Sequence, residues 1–217
     1  MKAMVLCAGR GERLRPLTDR TPKPLLKVRG KPLVQWHLEA LARAGVSEVV
    51  INLSWLGEQI RSTLGSGSRF SLKIQYSVEP PTALETGGGI FQALPLLGDA
   101  PFIVINGDVF TDFDLTTLKI DPAALAHLVL VPNPEHHADG DFALRGAEIV
   151  TTGAQRFTYV GIGLFRPELF ARCQPGRFAL LPLFQAAIAA RRLQGECFMG
   201  SWTDVGTVAR LESLNAG

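Results

Sequence analysis

Short apolar runs alternate with segments of helical periodicity along the first half of the chain. Apolar runs bounded by turn residues are typical of buried strands, and they predict strands at residues 2–7, 48–53, 72–78 and 102–105. Apolar residues three and four positions apart predict helices at residues 32–44, 56–64 and 90–97, the last entered through Gly87, Gly88 and Gly89. This alternation predicts an α/β fold, a Rossmann-like three-layer sandwich with a mixed, mostly parallel sheet.

The second half of the chain has a less regular pattern. It predicts strands at residues 127–131 and 157–165, a loop at 132–140, and helices at 181–191 and 207–214. No internal repeat, low-complexity tract or change of composition marks a linker. We therefore expect residues 1–217 to form a single domain.

Composition and charge narrow the range of functions. The 217 residues are 47% hydrophobic, which is enough for a sizeable core, and the net charge of +2 gives no support to a general role on nucleic acids or membrane surfaces. The three cysteines are widely spaced and predict neither a disulfide framework nor a metal motif. The sequence shows no membrane-length apolar run and no signal-peptide pattern, so we expect a cytoplasmic protein.

A loop rich in cations and prolines follows the first predicted strand. It begins with Gly9 and Gly11, and its basic side chains are Arg10, Arg13, Arg15, Arg20, Lys23 and Lys27. Glycines at this edge of a parallel sheet let backbone N–H groups approach a phosphate, which arginine and lysine neutralise. The loop lacks the third glycine of a dinucleotide fingerprint and the G-K-[S/T] of a Walker motif. Spacing alone leaves two interpretations, a phosphate-binding loop and a solvated basic loop.

Two aspartates are candidate metal ligands. Asp108 follows a buried strand through Asn106 and Gly107, so its carboxylate is expected at the ligand-binding edge of the sheet. Asp204 precedes the last predicted helix, where it is either a metal ligand or an N-cap.

A rival interpretation rests on Asp112 and Asp114. They form a D-x-D sequence, the manganese motif of many nucleotide-sugar glycosyltransferases, but three residues often match by chance and the pair lies several residues beyond the predicted strand. A glycosyltransferase therefore stays an alternative, as does a nucleotide-binding module without catalytic activity.

Residues 9–25 carry a family resemblance. The stretch GRGERLRPLT, followed by TPKPL, resembles the pattern G-x-G-x-R-[L/M]-x-P-[L/F]-T…P-K-P of the sugar-1-phosphate nucleotidylyltransferases. The segments Gly107-Asp108 and W-x-D-x-G-T at residues 202–207 resemble the two metal-binding segments of that family.

The resemblance implies an enzyme that transfers a nucleotidyl group and uses Mg²⁺ bound by Asp108 and Asp204. It implies that Arg13, Lys23 and Asp108 are catalytic, with Arg13 on the phosphates and Lys23 near the α-phosphate. The implied nucleotide-binding residues are Ala8, Gly9, Gly11, Glu12, Arg13, Lys23, Glu85 and Gly88. The three glycines from Gly87 to Gly89 either lie under the base or allow a tight contact between helix and sheet.

Further stretches resemble the short bacterial members of the family that act on N-acetylmuramate α-1-phosphate. They are LETGGGI at residues 84–90 and NPEHHADGDF at residues 133–142. The resemblance implies UTP and a sugar 1-phosphate as substrates, with Asn106, Gly140 and Asp141 in the sugar pocket. Glucose 1-phosphate and mannose 1-phosphate stay alternatives.

The chain also departs from its relatives around the predicted sugar pocket. It has no lysine after Lys119, so either an arginine such as Arg145 or Arg156 meets the sugar phosphate, or the metal neutralises it alone. Val160 stands where we expect Ser in the muramate branch. His136 and His137 could suggest a metal site, but adjacent histidines point apart on an extended chain, so we expect a solvated pair.

Overall fold

The strands and helices that the sequence predicts in the first half of the chain all form in the predicted order, and a short α-helix and two short strands between residues 17 and 32 were not predicted. The computed structural model describes residues 1–80 and 83–216. The strands are β1 (Lys2–Leu6), β2 (Lys27–Val28), β3 (Lys31–Pro32), β4 (Glu48–Leu53), β5 (Lys73–Val78), β6 (Phe102–Asn106), β7 (Val109–Thr111), β8 (Ala126–Val131), β9 (Phe142–Arg145), β10 (Glu148–Val150), β11 (Arg156–Phe165), β12 (Leu193–Cys197) and β13 (Trp202–Asp204). The helices are α1 (Leu17–Arg20), α2 (Leu33–Arg43), α3 (Gly57–Leu64), α4 (Glu85–Leu97), α5 (Leu181–Ala189) and α6 (Val208–Ala216). Among the described residues, no helix is both long and apolar enough to cross a membrane.

Nine of the strands form one mixed sheet, with the order β5-β4-β1-β6-β11-β8-β12-β10-β9. The first four strands in this order are mutually parallel, and β11 runs antiparallel to both β6 and β8. Parallel neighbours need a long crossover, and α2 and α3 lie in the crossovers from β1 to β4 and from β4 to β5. The predicted α/β class with a mixed sheet is confirmed.

Alternate residues of the central strands face opposite sides of the sheet, as the period of two in a strand requires. Val5 of β1 belongs to a buried cluster that includes Leu38 of α2. Its neighbour Met4 belongs to a second buried cluster that includes Ile90 of α4. The sheet is therefore covered by helices on both faces, which gives the predicted three layers.

A third buried cluster, here called the loop cluster, joins the opening loop to the last helix. It consists of Leu14, Leu26, Val28, Leu33, Val205 and Leu211. Asn215 of α6 extends this contact, because its side chain accepts a hydrogen bond from the Arg29 N–H (2.7 Å) and donates one to the Lys27 carbonyl (3.1 Å).

The second half of the chain differs most from the prediction. The strands β9, β10, β12 and β13 were not predicted, because β9, β10 and β13 have only three or four residues and the apolar pattern of β12 is interrupted by Gln194, Gly195 and Glu196. The segment predicted as a loop at 132–140 contains a short 3₁₀ helix, Glu135–His137. Helix α4 begins at Glu85, so the three glycines lie inside the helix rather than before it.

Candidate functional site

The opening loop leaves the carboxyl end of β1 between two asparagines. Leu6 at the end of β1 is paired in register with Asn52 of β4 on one side and with Asn106 of β6 on the other. In the loop, Gly11 has a φ of +68°, and a Cβ there would come within 2.9 Å of the Thr18 methyl group. The Thr18 hydroxyl donates to the Gly11 carbonyl (2.8 Å), so a glycine at position 11 lets the loop fold back on itself.

Arg10 stabilises this loop through contacts with other protein groups. Its guanidinium donates to the Thr18 carbonyl (3.0 Å) and to Asp19 (3.1 Å), and it lies 3.7 Å from the centroid of the Trp55 ring. Trp55 also donates to the Thr18 carbonyl (3.0 Å). These contacts fix the path of residues 10–19 from the side of α3.

Lys23 reaches across the site to Asp108. Its Nζ lies 2.6 Å from Asp108 Oδ2, and the Lys23 side chain is 11% exposed. A largely buried ammonium group needs such a partner, so the pair is an electrostatic element of the site. The structure thus brings together two of the three predicted catalytic residues.

A first cavity of about 250 Å³ lies under the opening loop. Its lining includes most of the predicted nucleotide-binding residues: Ala8, Gly9, Gly11, Lys23 and Glu85, beside Asn106 and Asp108. Glu12 and Arg13 are exposed on the loop and do not line this cavity. The Arg13 guanidinium lies near Gly206, since a Cβ at that position would come within 3.1 Å of it.

Two polar residues in the wall of the first cavity were missed by the sequence analysis. The Asn52 amide donates to Glu79 Oε1 (2.7 Å), and Asn52 Oδ1 accepts the Cys7 N–H (2.7 Å). Glu79 Oε2 accepts the Leu84 N–H (3.2 Å). Asn52 and Glu79 are both buried, and they tie β1, β4 and the segment before α4 together. A polar residue inside the apolar run of β4 was the available signal for Asn52.

The glycines of α4 pack against protein atoms. A Cβ at Gly87 would come within 2.5 Å of the Phe178 ring, one at Gly88 would collide with the Gly176 carbonyl oxygen, and one at Gly89 would come within 2.6 Å of Glu79 Oε1. The Gly88 N–H donates to the Phe178 carbonyl (3.1 Å), and Gly88 does not line the first cavity. Close packing of the helix therefore accounts for these glycines.

A second cavity of about 250 Å³ adjoins the first. The two cavities share Asn106 and Asp108. The rest of its lining is Val109, His136, His137, Thr158, Tyr159, Val160, Trp202 and Asp204. Asp108 therefore stands at the junction of two neighbouring binding spaces.

Asp204 lies beside Asp108 because β13 pairs with β7. Asp204 is in register with Val109, and the Val205 N–H donates to the Asp108 carbonyl (2.7 Å). The Asp204 carboxylate accepts hydrogen bonds from Arg210. Asp204 is not the N-cap of α6, because Thr207 Oγ1 accepts the Arg210 N–H (3.4 Å).

The donor set at this junction fits a hard divalent cation. Mg²⁺ is commonly bound through one or two carboxylates together with substrate phosphates, and two carboxylates are supplied here by Asp108, just before β7, and by Asp204 of the paired strand β13. In the part of the chain that the structure describes, no group of three or more His, Cys, Asp or Glu side chains converges on one point. Any cation bound here would complete its coordination with ligands from outside the chain.

Gly140 and Asp141 shape the wall of the second cavity without lining it. Gly140 has a φ of +58° and packs against the Asn133 side chain. Asp141 accepts the Tyr159 N–H (2.8 Å) and faces His137 Nε2 (3.0 Å). His136 and His137 are both solvent-accessible, as expected, but they also line the cavity, and His136 Nε2 lies 3.2 Å from Asp204 Oδ1.

The two aspartates of the D-x-D sequence accept hydrogen bonds from protein groups outside the two cavities. Asp112 Oδ1 accepts the Ser201 N–H (2.8 Å). Asp114 caps a short 3₁₀ helix, and its hydrogen bonds from the Thr116 backbone and then the Thr116 hydroxyl lower the pKa of its carboxyl. Neither residue lines the two cavities.

Two titratable groups near Asp108 stay neutral. Burial, with a smaller effect of the negative charge on Asp108, raises the pKa of the Cys7 thiol, so this residue is a small buried side chain rather than a nucleophile. Burial lowers the pKa of His37 to about 4, although the Asp108 charge opposes the shift. At neutral pH Lys23 therefore supplies the positive charge that faces Asp108, and His37 does not.

Comparisons with known proteins identify the family of the chain. The family model described as Nucleotidyl transferase matches residues 2–140, more than half of the chain. The chain is 51% identical over 225 residues to the N-acetylmuramate alpha-1-phosphate uridylyltransferase of Neisseria meningitidis serogroup B, covering 100% of this chain and 97% of the relative. It is 35% identical over 220 residues to the protein of the same name from Caulobacter vibrioides, covering 94% and 91%.

The fold has a match among solved structures as well. A Bacillus anthracis chain provisionally assigned as a glucose-1-phosphate thymidylyltransferase superposes with a TM-score of 0.87, covering 100% of this chain and 94% of the other at 22% identity. The likeness supports the fold, and the family model together with the two full-length relatives supports the family. The chain belongs to the nucleotidyl transferase family.

Proposed function

We propose that the protein transfers a uridylyl group from UTP to N-acetylmuramate α-1-phosphate and releases pyrophosphate. The observation that carries the proposal is the 51% identity over the full chain to a relative of that name. The geometry is consistent with it, because two cavities of similar volume meet at Asp108 and give two substrates adjoining places.

In the proposed reaction, a phosphate oxygen of the sugar 1-phosphate attacks the α-phosphorus of UTP. A new P–O bond forms while the bond from the α-phosphorus to the bridging oxygen breaks, and pyrophosphate leaves with that electron pair. No side-chain nucleophile is needed, so the enzyme contributes positioning and neutralisation of charge. The first cavity would hold UTP and the second the sugar.

The basic side chains would stabilise the transferring phosphate groups. Lys23 lines the first cavity beside Asp108, where its ammonium group would face the α-phosphate, and Arg13 on the open loop would meet the outer phosphates. Asp108 and Asp204 would hold Mg²⁺, which supplies positive charge to the phosphate oxygens when bound.

A substrate panel tests the proposal. Nucleoside triphosphates are combined with sugar 1-phosphates, and pyrophosphate release is measured in the presence of Mg²⁺. UTP with N-acetylmuramate α-1-phosphate is expected to give the highest kcat/KM. If glucose 1-phosphate or mannose 1-phosphate gives a higher value, the substrate assignment is wrong although the reaction class is right. If no pair releases pyrophosphate, the reaction class is wrong too.

A further inference from the structure

The second cavity lacks the basic side chains expected for a site that binds a sugar phosphate. Among the described residues, its lining contains no lysine and no arginine, and its basic side chains are His136 and His137. A phosphate group brought next to the carboxylates of Asp108 and Asp204 needs hydrogen-bond donors close by. The donors must therefore come from these histidines or from an arginine that reaches the cavity from a neighbouring segment.

The two arginines suggested by the sequence do not supply these donors. The Arg156 guanidinium is bound to four backbone carbonyls, those of Asp139 (2.8 Å), Gly140 (3.0 Å), Asp141 (2.7 Å) and Thr151 (2.7 Å). Arg145 is exposed at the end of β9 and does not line the cavity. Arg156 is instead a positioning residue for the segment that carries the two histidines.

That segment, residues 133–141, is held in one conformation by its own hydrogen bonds. Asn133 Nδ2 donates to the Ala138 carbonyl (2.8 Å), and Asn133 Oδ1 accepts from the Thr158 hydroxyl (3.0 Å). With the Arg156 contacts, these bonds tie the 3₁₀ helix Glu135–His137 to β11. The imidazoles of His136 and His137 are therefore presented to the cavity from a fixed backbone.

The two histidines have different surroundings. His137 Nε2 faces Asp141, whose other oxygen accepts the Tyr159 N–H, so this imidazole is part of the wall. His136 Nε2 lies 3.2 Å from Asp204 Oδ1, and both residues line the cavity. The His136 side chain is 42% exposed, so it is free to turn from Asp204 toward a ligand.

We propose that His136 binds the phosphate group of the sugar 1-phosphate. The proposal rests on the proposed function, which sets the reacting phosphates at the junction of the two cavities. Because His136 Nε2 lies 3.2 Å from Asp204 Oδ1, a phosphate oxygen placed beside that carboxylate would be within reach of an N–H of this imidazole. His136 is then a specificity element for phosphorylated sugars and has no part in reading the rest of the sugar.

The test compares His136→Gln and His136→Ala with His127→Gln. His127 pairs with Glu196 on β12 and lies outside both cavities. Its substitution therefore removes an imidazole that faces a carboxylate without changing either cavity, which makes it the matched control. KM and kcat are measured separately for UTP and for N-acetylmuramate α-1-phosphate. Binding of the sugar phosphate is measured by isothermal titration calorimetry on enzyme saturated with the α,β-methylene analogue of UTP.

Loss of a hydrogen bond to a charged group predicts that His136→Ala raises the KM and Kd of the sugar phosphate about 10- to 100-fold. The KM of UTP should change by less than about threefold, and His127→Gln should leave both KM values within that range. N-acetylglucosamine 1-phosphate, included as a second acceptor, should lose affinity by the same factor. A loss confined to the muramate substrate would show that His136 reads the lactyl carboxylate and would overturn the proposal.

Different results would contradict the role of His136 and the proposed function. If the unaltered enzyme releases pyrophosphate with a sugar 1-phosphate but both His136 variants bind it normally, the His136 proposal is wrong and the function stands. If Arg210→Gln weakens sugar-phosphate binding and the His136 variants do not, the phosphate contact belongs to Arg210. If the unaltered enzyme is inactive with every sugar 1-phosphate, the proposed function itself is wrong.

Discussion

At the residue scale, Asp108 and Asp204 each have a basic side chain beside their carboxylate. Lys23 faces Asp108, while Arg210 and His136 face Asp204. These pairs are partly buried, where removing one partner leaves the other charge poorly solvated. A phosphate that enters the site can draw the basic side chains away from the carboxylates, which then become available to a cation. The basic side chains thus stabilise the carboxylates in the free protein and would release them for a cation when a phosphate binds.

Substituting the two carboxylates tests whether they act together. Asp108→Asn and Asp204→Asn should each lower kcat by about 100- to 1,000-fold, the range seen when a group that stabilises transition-state charge is removed. The double variant should be little worse than either single variant, because residues that act as a unit are not additive. Pyrophosphate release as a function of Mg²⁺ concentration, with thermal unfolding of each variant, measures both effects.

The control for these variants is Asp112→Asn. This carboxylate accepts a backbone N–H away from both cavities, so the substitution should leave kcat and the Mg²⁺ dependence nearly unchanged. Unchanged Mg²⁺ dependence in Asp204→Asn would contradict its role as a metal ligand. A large loss in Asp112→Asn would instead support the D-x-D interpretation.

The sequence was sufficient to place those site residues whose position is set by one neighbouring strand. Asp108 directly follows a continuous apolar run, so its place at the edge of the sheet could be read from local pattern. Glu79 could not be identified in this way, because its role depends on a hydrogen bond to Asn52, 27 residues away. The proximity of His136 to Asp204 was missed for the same reason, since it arises only when β11 and β13 are in place.

At the element scale, helix α4 and the opening loop use glycine for different purposes. Gly88 is buried against the Gly176 carbonyl, whereas Gly9 is exposed and a Cβ there would have no atom within 4 Å. The first glycine lets two parts of the protein pack closely. The second keeps the wall of the first cavity open toward a ligand.

Alanine substitutions separate these two purposes. Gly88→Ala should lower the free energy of unfolding by about 1–3 kcal/mol, the usual cost of overpacking against a backbone that cannot move aside. Gly9→Ala should change it by less than about 0.5 kcal/mol but weaken UTP binding, because the added methyl group enters the space above the loop. Chemical denaturation and calorimetric titration with UTP measure the two quantities. Normal stability with weakened UTP binding in Gly88→Ala would restore the prediction that Gly88 contacts the nucleotide.

The elements that were predicted correctly and those that were missed differ in how they are buried. The strands β1, β4 and β6 are covered on both faces, so they appear in the sequence as continuous apolar runs. The strands β9 and β10 are short and lie at one edge of the sheet, where half-exposed residues such as Leu144 and Val150 weaken the pattern. Their existence depends on pairing with β11 and β12, which local sequence does not encode.

At the scale of the whole molecule, the two ends of the chain meet at the site. The loop cluster packs Leu14 of the opening loop against Val205 and Leu211, although nearly the whole chain separates them. Val205 directly follows Asp204, and Arg210 directly precedes Leu211. The position of the second carboxylate therefore depends on how α6 packs against the segment that carries Arg13.

Leu211→Ala tests this dependence. Leu211 is 8% exposed, and its truncation should cost about 2–3 kcal/mol of stability, toward the lower end for a buried leucine. Because α6 would then hold Arg210 and Asp204 less firmly, kcat should fall even at temperatures well below the unfolding midpoint, where the variant is fully folded.

The adjacent Glu212→Ala, on the exposed side of the same helix, should change stability by less than about 0.5 kcal/mol and leave kcat unaltered. Thermal unfolding and pyrophosphate release, measured on the same samples, supply both readouts. A loss of stability in Leu211→Ala with normal kcat would mean that the Asp204 segment keeps its position without α6, held by the pairing of β13 with β7 alone.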